Sequence, residues 1–121
     1  MKRVMLAVCV AVVMAGSFAT MAQAQGKQDF VLYNLIGQKI VELYISPVDT
    51  NEWEEDVLGV DRLDNDDNVV VEFPRDEDAC MWDFKVVTED GKGIIWTEID
   101  LCKAEEVTLQ VFGGKPVARI K

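Results

Sequence analysis

The sequence predicts an all-β protein: a small antiparallel β-sandwich of about six strands, with one short helix and one disulfide. Three observations support this fold class. Short apolar or alternating runs recur along the chain, turn residues such as Gly37, Pro47 and Gly91 separate them, and the two cysteines in the second half form an even pair. The chain has 121 residues, which is enough for one domain.

The N-terminal segment has the three-part layout of a secretory signal peptide. Lys2 and Arg3 give a basic start, an apolar run covers residues 4–15, and a small-residue stretch ends in Ala22-Gln23-Ala24. This last tripeptide is an A-x-A cleavage site. The apolar run is shorter than the roughly 20 residues that a membrane-spanning helix needs. We therefore expect cleavage after Ala24 rather than a membrane anchor.

The leader sets the predicted domain organisation and location. Residues 1–24 are predicted as a Sec-type signal peptide, and residues 25–121 as a single β-sandwich domain. Cys9 lies inside the apolar run and is predicted to leave with the leader. The location that follows is periplasmic or extracellular, with no membrane span after cleavage.

Cysteine usage predicts one disulfide. After cleavage the chain holds Cys80 and Cys102, and an even count in an exported chain indicates a bridge. Closing a loop of this length should contribute about 3 kcal/mol by restricting the unfolded chain. Zinc is disfavoured because two thiolates without any His or a C-x-x-C pair make a poor site.

Six runs are predicted as strands, each bounded by a turn residue or a proline. They are residues 30–36, 39–46, 68–73, 81–89, 94–101 and 105–112. Alternation predicts inward faces formed by Val41, Leu43 and Ile45, by Val69, Val71 and Phe73, and by Trp82, Phe84 and Val86. Gly113-Gly114 is expected to release a short free tail.

The hairpin around Gly91 leaves two registers open. A two-residue type II′ turn at Gly91-Lys92 pairs Phe84 with Ile99, but it sets the two cysteines out of register. A β-bulge between the turn and Leu101 would satisfy both requirements. So would a Cys80 that precedes the ladder.

One helical turn is predicted after the second strand. Asn51 can cap it with Glu54 at the third position, which is a capping-box pattern, and Gly59 can stop it. We expect Trp53 and the pair 57–58 to hold this turn against the sheet.

The acidic residues are concentrated in one part of the chain. The formal net charge is −10, and more than half of the acidic residues lie between Asp49 and Asp78. This excess of acidic residues excludes the basic surface stripe that binding to nucleic acid requires. The segment is either a solvated surface, a cation site or a dock for a basic protein partner. The candidate docking residues, called the acidic patch, are Glu52, Glu54, Glu55, Asp56, Asp76, Glu77 and Asp78.

A cation site is the second of these readings. Its candidate ligands are Asp61, Asp64, Asp66 and Asp67. Asp64, Asp66 and Asn68 have the D-x-D-x-N spacing of a calcium loop. However, Val69 stands where the loop needs Gly, and Arg75 stands where it needs Glu. We therefore expect these carboxylates to stay in water and predict no cofactor, with calcium as the alternative.

No sequence motif indicates a catalytic site. The chain has no His, which excludes Ser-His-Asp and Cys-His catalysis. Asp83, Glu98 and Asp100 are near one another on a predicted hairpin, and paired carboxylates could serve a hydrolase. A solvent-exposed outer face of a sheet is the stronger explanation for these three carboxylates. We predict a non-enzymatic binding module with no catalytic residue, a carboxylate-dependent hydrolase being the alternative.

Aromatic residues are predicted to build the core. Trp53, Trp82 and Trp96 are large enough to dominate a small core, although the neighbours of Trp96 are partly polar.

A resemblance adds to this interpretation. The motifs that carry it are Asn34-x-x-Gly37-x-x-Ile40, Leu43-Tyr44-Ile45-Ser46-Pro47, Trp53 with Asp56-Val57-Leu58-Gly59, Cys80-x-Trp82-Asp83, Asp90-Gly91 and Asp100-Leu101-Cys102. The chain resembles a family of small exported bacterial proteins of unknown function. The resemblance implies a signal peptide, a β-rich domain and a pairing of Cys80 with Cys102. Some members carry the label argininosuccinate lyase, an activity that the short length and the lack of His argue against.

Overall fold

In the part of the chain that the structure describes, eight strands form two sheets of unequal width. The computed structural model describes residues 2–5, 26–50 and 52–121. The strands are β1 (Lys2–Met5), β2 (Phe30–Asn34), β3 (Ile40–Pro47), β4 (Asn68–Glu72), β5 (Met81–Thr88), β6 (Gly93–Asp100), β7 (Glu106–Phe112) and β8 (Lys115–Ile120). The wide sheet has the order β1-β4-β2-β7-β8, and the narrow sheet has the order β3-β5-β6. The all-β class, the two-sheet architecture and the disulfide are confirmed.

Two pairings depart from the predicted antiparallel sandwich. β2 runs parallel to β7, with Leu32 opposite Val107, and β1 runs parallel to β4. Apart from β1, the predicted leader lies outside the described residues. Cleavage after Ala24 would remove β1 and leave β4 as an edge strand. Within the described ranges, no helix is long and apolar enough to cross a membrane.

Apolar side chains from both sheets form one core. Phe84 is fully buried, its ring centroid lies 5.6 Å from that of Phe30, and the Phe73 ring meets Trp82 edge-on at 5.0 Å. These contacts confirm the predicted inward faces of β4 and β5. On β3 the prediction is wrong at one position, because a bulge between Ile40 and Glu42 buries Ile40 instead of Val41.

The predicted helix is absent from the described part of its segment, residues 52–60, and its capping residue Asn51 lies outside the described residues. The segment instead satisfies the outer edge of β3. The Val57 N–H donates to the Leu43 carbonyl at 2.8 Å, and the Leu43 N–H donates to the Asp56 carboxylate at 2.8 Å. Asp56 also accepts from the Leu58 N–H. Pairing with a strand edge therefore competes successfully with the local capping signal. Of the residues predicted to hold this segment against the sheet, Leu58 is buried and Trp53 is half-buried.

The predicted free tail is a strand. Gly113 and Gly114 both have positive φ, 58° and 80°, and connect β7 to β8 in a two-residue loop. This geometry is that of a type I′ turn, which matches the twist of antiparallel strands. The turn brings Lys115 opposite Phe112 and continues the ladder to Ile120 opposite Val107.

A buried asparagine connects three segments at the end of β2. The Asn34 side-chain amide donates to the Gln38 carbonyl at 2.8 Å and to the Leu63 carbonyl at 3.0 Å. Its side-chain oxygen accepts from the Ile36 N–H at 3.1 Å. The side chain is fully buried, so these bonds satisfy polar groups that water does not reach.

The outer face of β3 carries a phenol with a shifted pKa. The Tyr44 hydroxyl donates to the Glu42 carboxylate at 2.6 Å, and Lys85 Nζ lies 5.8 Å from the centre of the Tyr44 ring. The hydrogen bond to Glu42, assisted by burial and by the negative charges of Glu42 and Asp56, raises the pKa of Tyr44 from 10.0 to about 12.

We expect Glu42→Ala to lower the pKa of Tyr44 toward 10.0, because the substitution removes the acceptor and the nearest negative charge. The raised pKa contributes stability that is fully present below pH 10 and is lost as the pH rises toward 12. Ultraviolet titration of the phenolate in a Tyr33→Phe background measures Tyr44 alone, since these are the two tyrosines. An unchanged midpoint in the Glu42→Ala protein would contradict the assignment.

Candidate binding groove

The β5–β6 hairpin has a three-residue loop, not the predicted two-residue turn. The Thr88 carbonyl accepts from the Gly91 N–H at 2.8 Å, and the Thr88 N–H donates to the Lys92 carbonyl at 3.0 Å. Gly91 has φ +84°, which an L side chain rarely adopts. The Asp90 carboxylate accepts from the Thr88 hydroxyl, and this bond lowers the pKa of Asp90.

The longer loop changes which residues face each other. Phe84 lies opposite Trp96, whereas the two-residue turn had paired Phe84 with Ile99. Ile99 instead lies opposite Trp82, because the register shifts between Trp82 and Phe84.

That shift is a β-bulge in β6, which the sequence allowed as one of two solutions. Thr97 and Glu98 together oppose the single residue Asp83. Glu98 has φ +57°, and its N–H donates to the Asp83 carboxylate at 2.9 Å. The bulge puts both Trp96 and Ile99 on the core side of β6, where they are buried.

The disulfide closes the open end of this hairpin. Cys80 precedes β5 and accepts the Leu101 N–H on its carbonyl at 2.8 Å. The chain turns after β6, and the Cys102 N–H donates to the Asp100 carboxylate at 3.0 Å. This geometry brings the two Cα atoms to 5.1 Å, and Cys80 is bonded to Cys102 as predicted. Both solutions to the register conflict, the bulge and the early Cys80, are therefore present.

A groove with a volume of about 340 Å³ lies between β6 and β8, the strands at one side of the two sheets. Its lining residues are Ile95, Trp96, Thr97, Glu98, Ile99, Pro116, Ala118 and Ile120. We call this site the β6–β8 groove. Most of its side chains are apolar, and two of them, Ile95 and Ile120, are 46% and 44% exposed.

One of the residues that line the groove has a buried polar atom without a partner among the described residues. The Trp96 side chain is only 3% exposed, and its indole Nε1 has no acceptor in the described part of the chain. By contrast, Trp82 Nε1 donates to the Ala79 carbonyl at 2.9 Å. A buried indole N–H normally finds an acceptor, so the unpartnered Trp96 is unusual.

The groove lies where the narrow sheet covers β8 only in part. Pro116, Ala118 and Ile120 lie opposite Val111, Leu109 and Val107 of β7. Directly opposite residues share a face of the sheet, so this face of β8 continues the core face. The narrow sheet ends at β6, and the apolar face of β8 is left partly open.

The three candidate catalytic carboxylates do not converge in a cleft. Asp83 and Asp100 each accept a backbone N–H, from Glu98 and Cys102 respectively. Of the three, Glu98 alone lines the β6–β8 groove, and its side chain is exposed. Asp83 and Asp100 thus cap the bulge and the turn that shape the hairpin.

The candidate calcium ligands are dispersed along their loop. Asp61, Asp64 and Asp66 are exposed, and Asp64 pairs with Lys39 Nζ at 3.6 Å. The Asp67 carboxylate accepts the Asn68 N–H at 2.9 Å. Among the described residues, no three of these carboxylates place an oxygen within 4.8 Å of one another.

The described ranges do hold one close group of ligand-type residues: Cys80, Asp100 and Cys102. Because the two sulfur atoms are bonded to each other, this group offers no thiolate.

The acidic patch is divided between surface charges and structural acceptors. Glu52, Glu54, Glu55, Asp76 and Asp78 are exposed. Asp56 and Glu77 are half-buried, and each accepts a backbone N–H. The exposed members place negative charge at the surface.

The fold has a counterpart among solved structures. An NMR structure of a protein from Eubacterium rectale matches with a TM-score of 0.56 and 11% identity, over 84% of this chain and 93% of that one. At that identity the likeness shows a shared fold alone. No family model and no curated protein matches the chain.

The sequence predicted Trp96 as core but did not predict the groove beside it. A signal was present after Gly114, where Pro116, Ala118 and Ile120 occupy every second position and the charged residues Lys115, Arg119 and Lys121 occupy three of the four positions around them. That pattern indicates a strand with one apolar face. None of the six predicted strands was assigned to pack against that face.

Proposed function

We propose that the protein is an exported, non-enzymatic binding module whose ligand occupies the β6–β8 groove. The observation that carries this proposal is the Trp96 indole, which is buried but whose Nε1 finds no acceptor among residues 2–5, 26–50 and 52–121. A ligand with a carbonyl oxygen and an apolar body would satisfy the indole N–H and cover Ile95 and Ile120.

The composition of the groove favours binding over catalysis. Glu98 is the one ionisable residue among its lining residues. Hydrolysis by carboxylates requires two groups that face the scissile bond, one as acid and one as base or nucleophile. The sequence suggested Asp83 and Asp100 as catalytic partners of Glu98. Both carboxylates instead accept hydrogen bonds from backbone N–H groups.

The proposed location rests on the leader and on the disulfide. The basic start, apolar run and A-x-A end of residues 1–24 are those of a secretory signal peptide. The bridge between Cys80 and Cys102 is of the kind that persists in oxidising compartments. Both features support a periplasmic or extracellular role.

The test is a titration with N-isobutylacetamide, a small aliphatic amide with one carbonyl acceptor, followed by the NMR signals of the indole N–H groups. We expect a saturable shift of the Trp96 signal, which Trp96→Phe identifies by its loss. The Trp82 signal is the internal control, because its N–H already has an acceptor.

A matched pair of variants locates the binding. Ile120→Asp puts a charge into the groove and should abolish the Trp96 shift. Val60→Asp makes the same type of change at a position that is 92% exposed and outside the groove lining, so it should leave the shift intact. A Trp96 signal that does not move, or that moves equally in both variants, would refute the proposal.

A further inference from the structure

The two outer edges of the narrow sheet differ in their backbone pairing. On β3, Ile40 exchanges two hydrogen bonds of 2.9 Å with Leu63, and Val57 donates to Leu43. On the part of β6 that precedes the bulge, residues 93–96, the described residues supply no backbone partner other than β5. Unpaired strand edges are templates for another strand.

The hydrogen-bond pattern shows which groups of β6 are free. Thr88 and Lys92 form a hydrogen-bonded position, and such positions alternate with non-hydrogen-bonded ones along an antiparallel ladder. Ile95, opposite Lys85, is three places further along and is therefore a non-hydrogen-bonded position. Its N–H and carbonyl point away from β5, toward the open edge.

We infer that the groove ligand is an extended, basic segment of a partner protein, which pairs with β6 as a fourth strand of the narrow sheet. This inference rests on the proposed function, because it names the ligand of the same groove. A strand laid beside β6 would cover the open face of β8, where Ala118 and Ile120 continue the core. The added strand would supply backbone bonds at the edge and apolar side chains over the groove.

The bulge limits where the strand can pair. Glu98 has φ +57° and interrupts the regular ladder, so pairing is confined to the part of β6 that precedes the bulge, Gly93 to Trp96. The exposed Glu98 carboxylate lies immediately beyond that stretch. A Lys or Arg near the end of the paired segment would reach it.

Charge selects a basic partner over a second copy of this chain. The formal net charge is −10, and self-association would bring these charges together. The exposed acidic patch would also attract a basic segment over a longer range and speed its association.

The test uses a capped six-residue peptide of alternating valine and threonine that ends in lysine, with affinity measured by the shifts of the β6 amide signals. We expect saturable binding to the full protein. The same peptide N-methylated at every second amide, on the edge facing β6, should bind about tenfold more weakly because it cannot complete the ladder. Equal affinities for the two peptides would overturn the strand pairing.

Two substitutions on β6 separate backbone pairing from side-chain contact. Ile95→Pro removes an N–H that faces the open edge and that the β5 ladder does not use, so it should weaken binding about tenfold. Ile95→Ala keeps that N–H and should weaken binding less. A stronger loss for Ile95→Ala than for Ile95→Pro would contradict the inference.

Exchanging the charge at Glu98 tests whether the groove selects a basic ligand, and this test does not depend on the Ile95→Pro variant. Glu98→Lys should weaken binding of the peptide that ends in lysine. It should strengthen binding of the same peptide with glutamate in place of that lysine. If the Glu98→Lys protein still prefers the peptide that ends in lysine, Glu98 is not the group that recognises the basic end of the ligand.

If N-isobutylacetamide binds at Trp96 and the strand peptide does not, strand addition is wrong and the proposed function stands. If neither binds, both are wrong.

Discussion

Replacing both cysteines, Cys80→Ser and Cys102→Ser, should lower the free energy of unfolding by about 3 kcal/mol. The bridge joins the residue before β5 to the turn after β6 and closes a loop with a sequence separation of 22. Without it, the unfolded chain gains the conformational freedom of that loop. The end of the hairpin that carries the bulge would also lose its covalent tie.

Urea denaturation followed by tryptophan fluorescence measures this loss. Reduction of the native protein is the matched control, because it breaks the same bond without a substitution. Reduction should shift the unfolding midpoint of the native protein and leave that of the double variant unchanged. A loss in the double variant of less than about 1 kcal/mol would contradict a structural role for the bridge.

Asn34→Ala should also destabilise strongly, by about 2 to 4 kcal/mol. The substitution removes the Asn34 side chain as partner of two half-buried backbone groups, the Gln38 carbonyl and the Ile36 N–H. It also removes one of the two hydrogen bonds that the Leu63 carbonyl accepts, the other coming from the Ile40 N–H. Leu63 matters most, because it also pairs with Ile40 at the covered edge of β3. Loss of its side-chain partner therefore weakens the segment that protects this edge.

The matched control is Asn65→Ala, the same chemical change at an exposed position. The Asn65 side chain accepts a single hydrogen bond, from the Gly37 N–H at 2.8 Å. Water can replace that bond, so we expect a loss of less than about 1 kcal/mol. Thermal unfolding of the two variants side by side gives the comparison, and equal losses would rule out the connecting role of Asn34.

The parts of the fold that were predictable from the sequence depend on local patterns. Alternating apolar residues on β4 and β5 identified Val69, Val71, Phe84 and Val86 as core, because a strand exposes its two faces in turn. The disulfide followed from an even cysteine count in a chain with a predicted leader.

The errors arise where a distant partner decides the local structure. Residues 52–60 have good helix signals, yet the Asp56 carboxylate and the Val57 N–H bond to Leu43 instead. The bulges in β3 and β6 depend on the register of β5, which no single strand encodes. The β6–β8 groove is a property of two sheets of unequal width and therefore has no local signature.

Placement of the bridge outside the hairpin has a consequence for proteolysis. The loop of residues 89–92 is exposed, and Lys92 within it offers a cleavage site for trypsin-like proteases. Because Cys80 and Cys102 flank the hairpin on the outside, a cut in this loop would leave β5 and β6 in one covalently linked molecule. The nicked protein would keep both strands in place through the ladder and the bridge, and the edge of β6 would survive an attack at the hairpin tip.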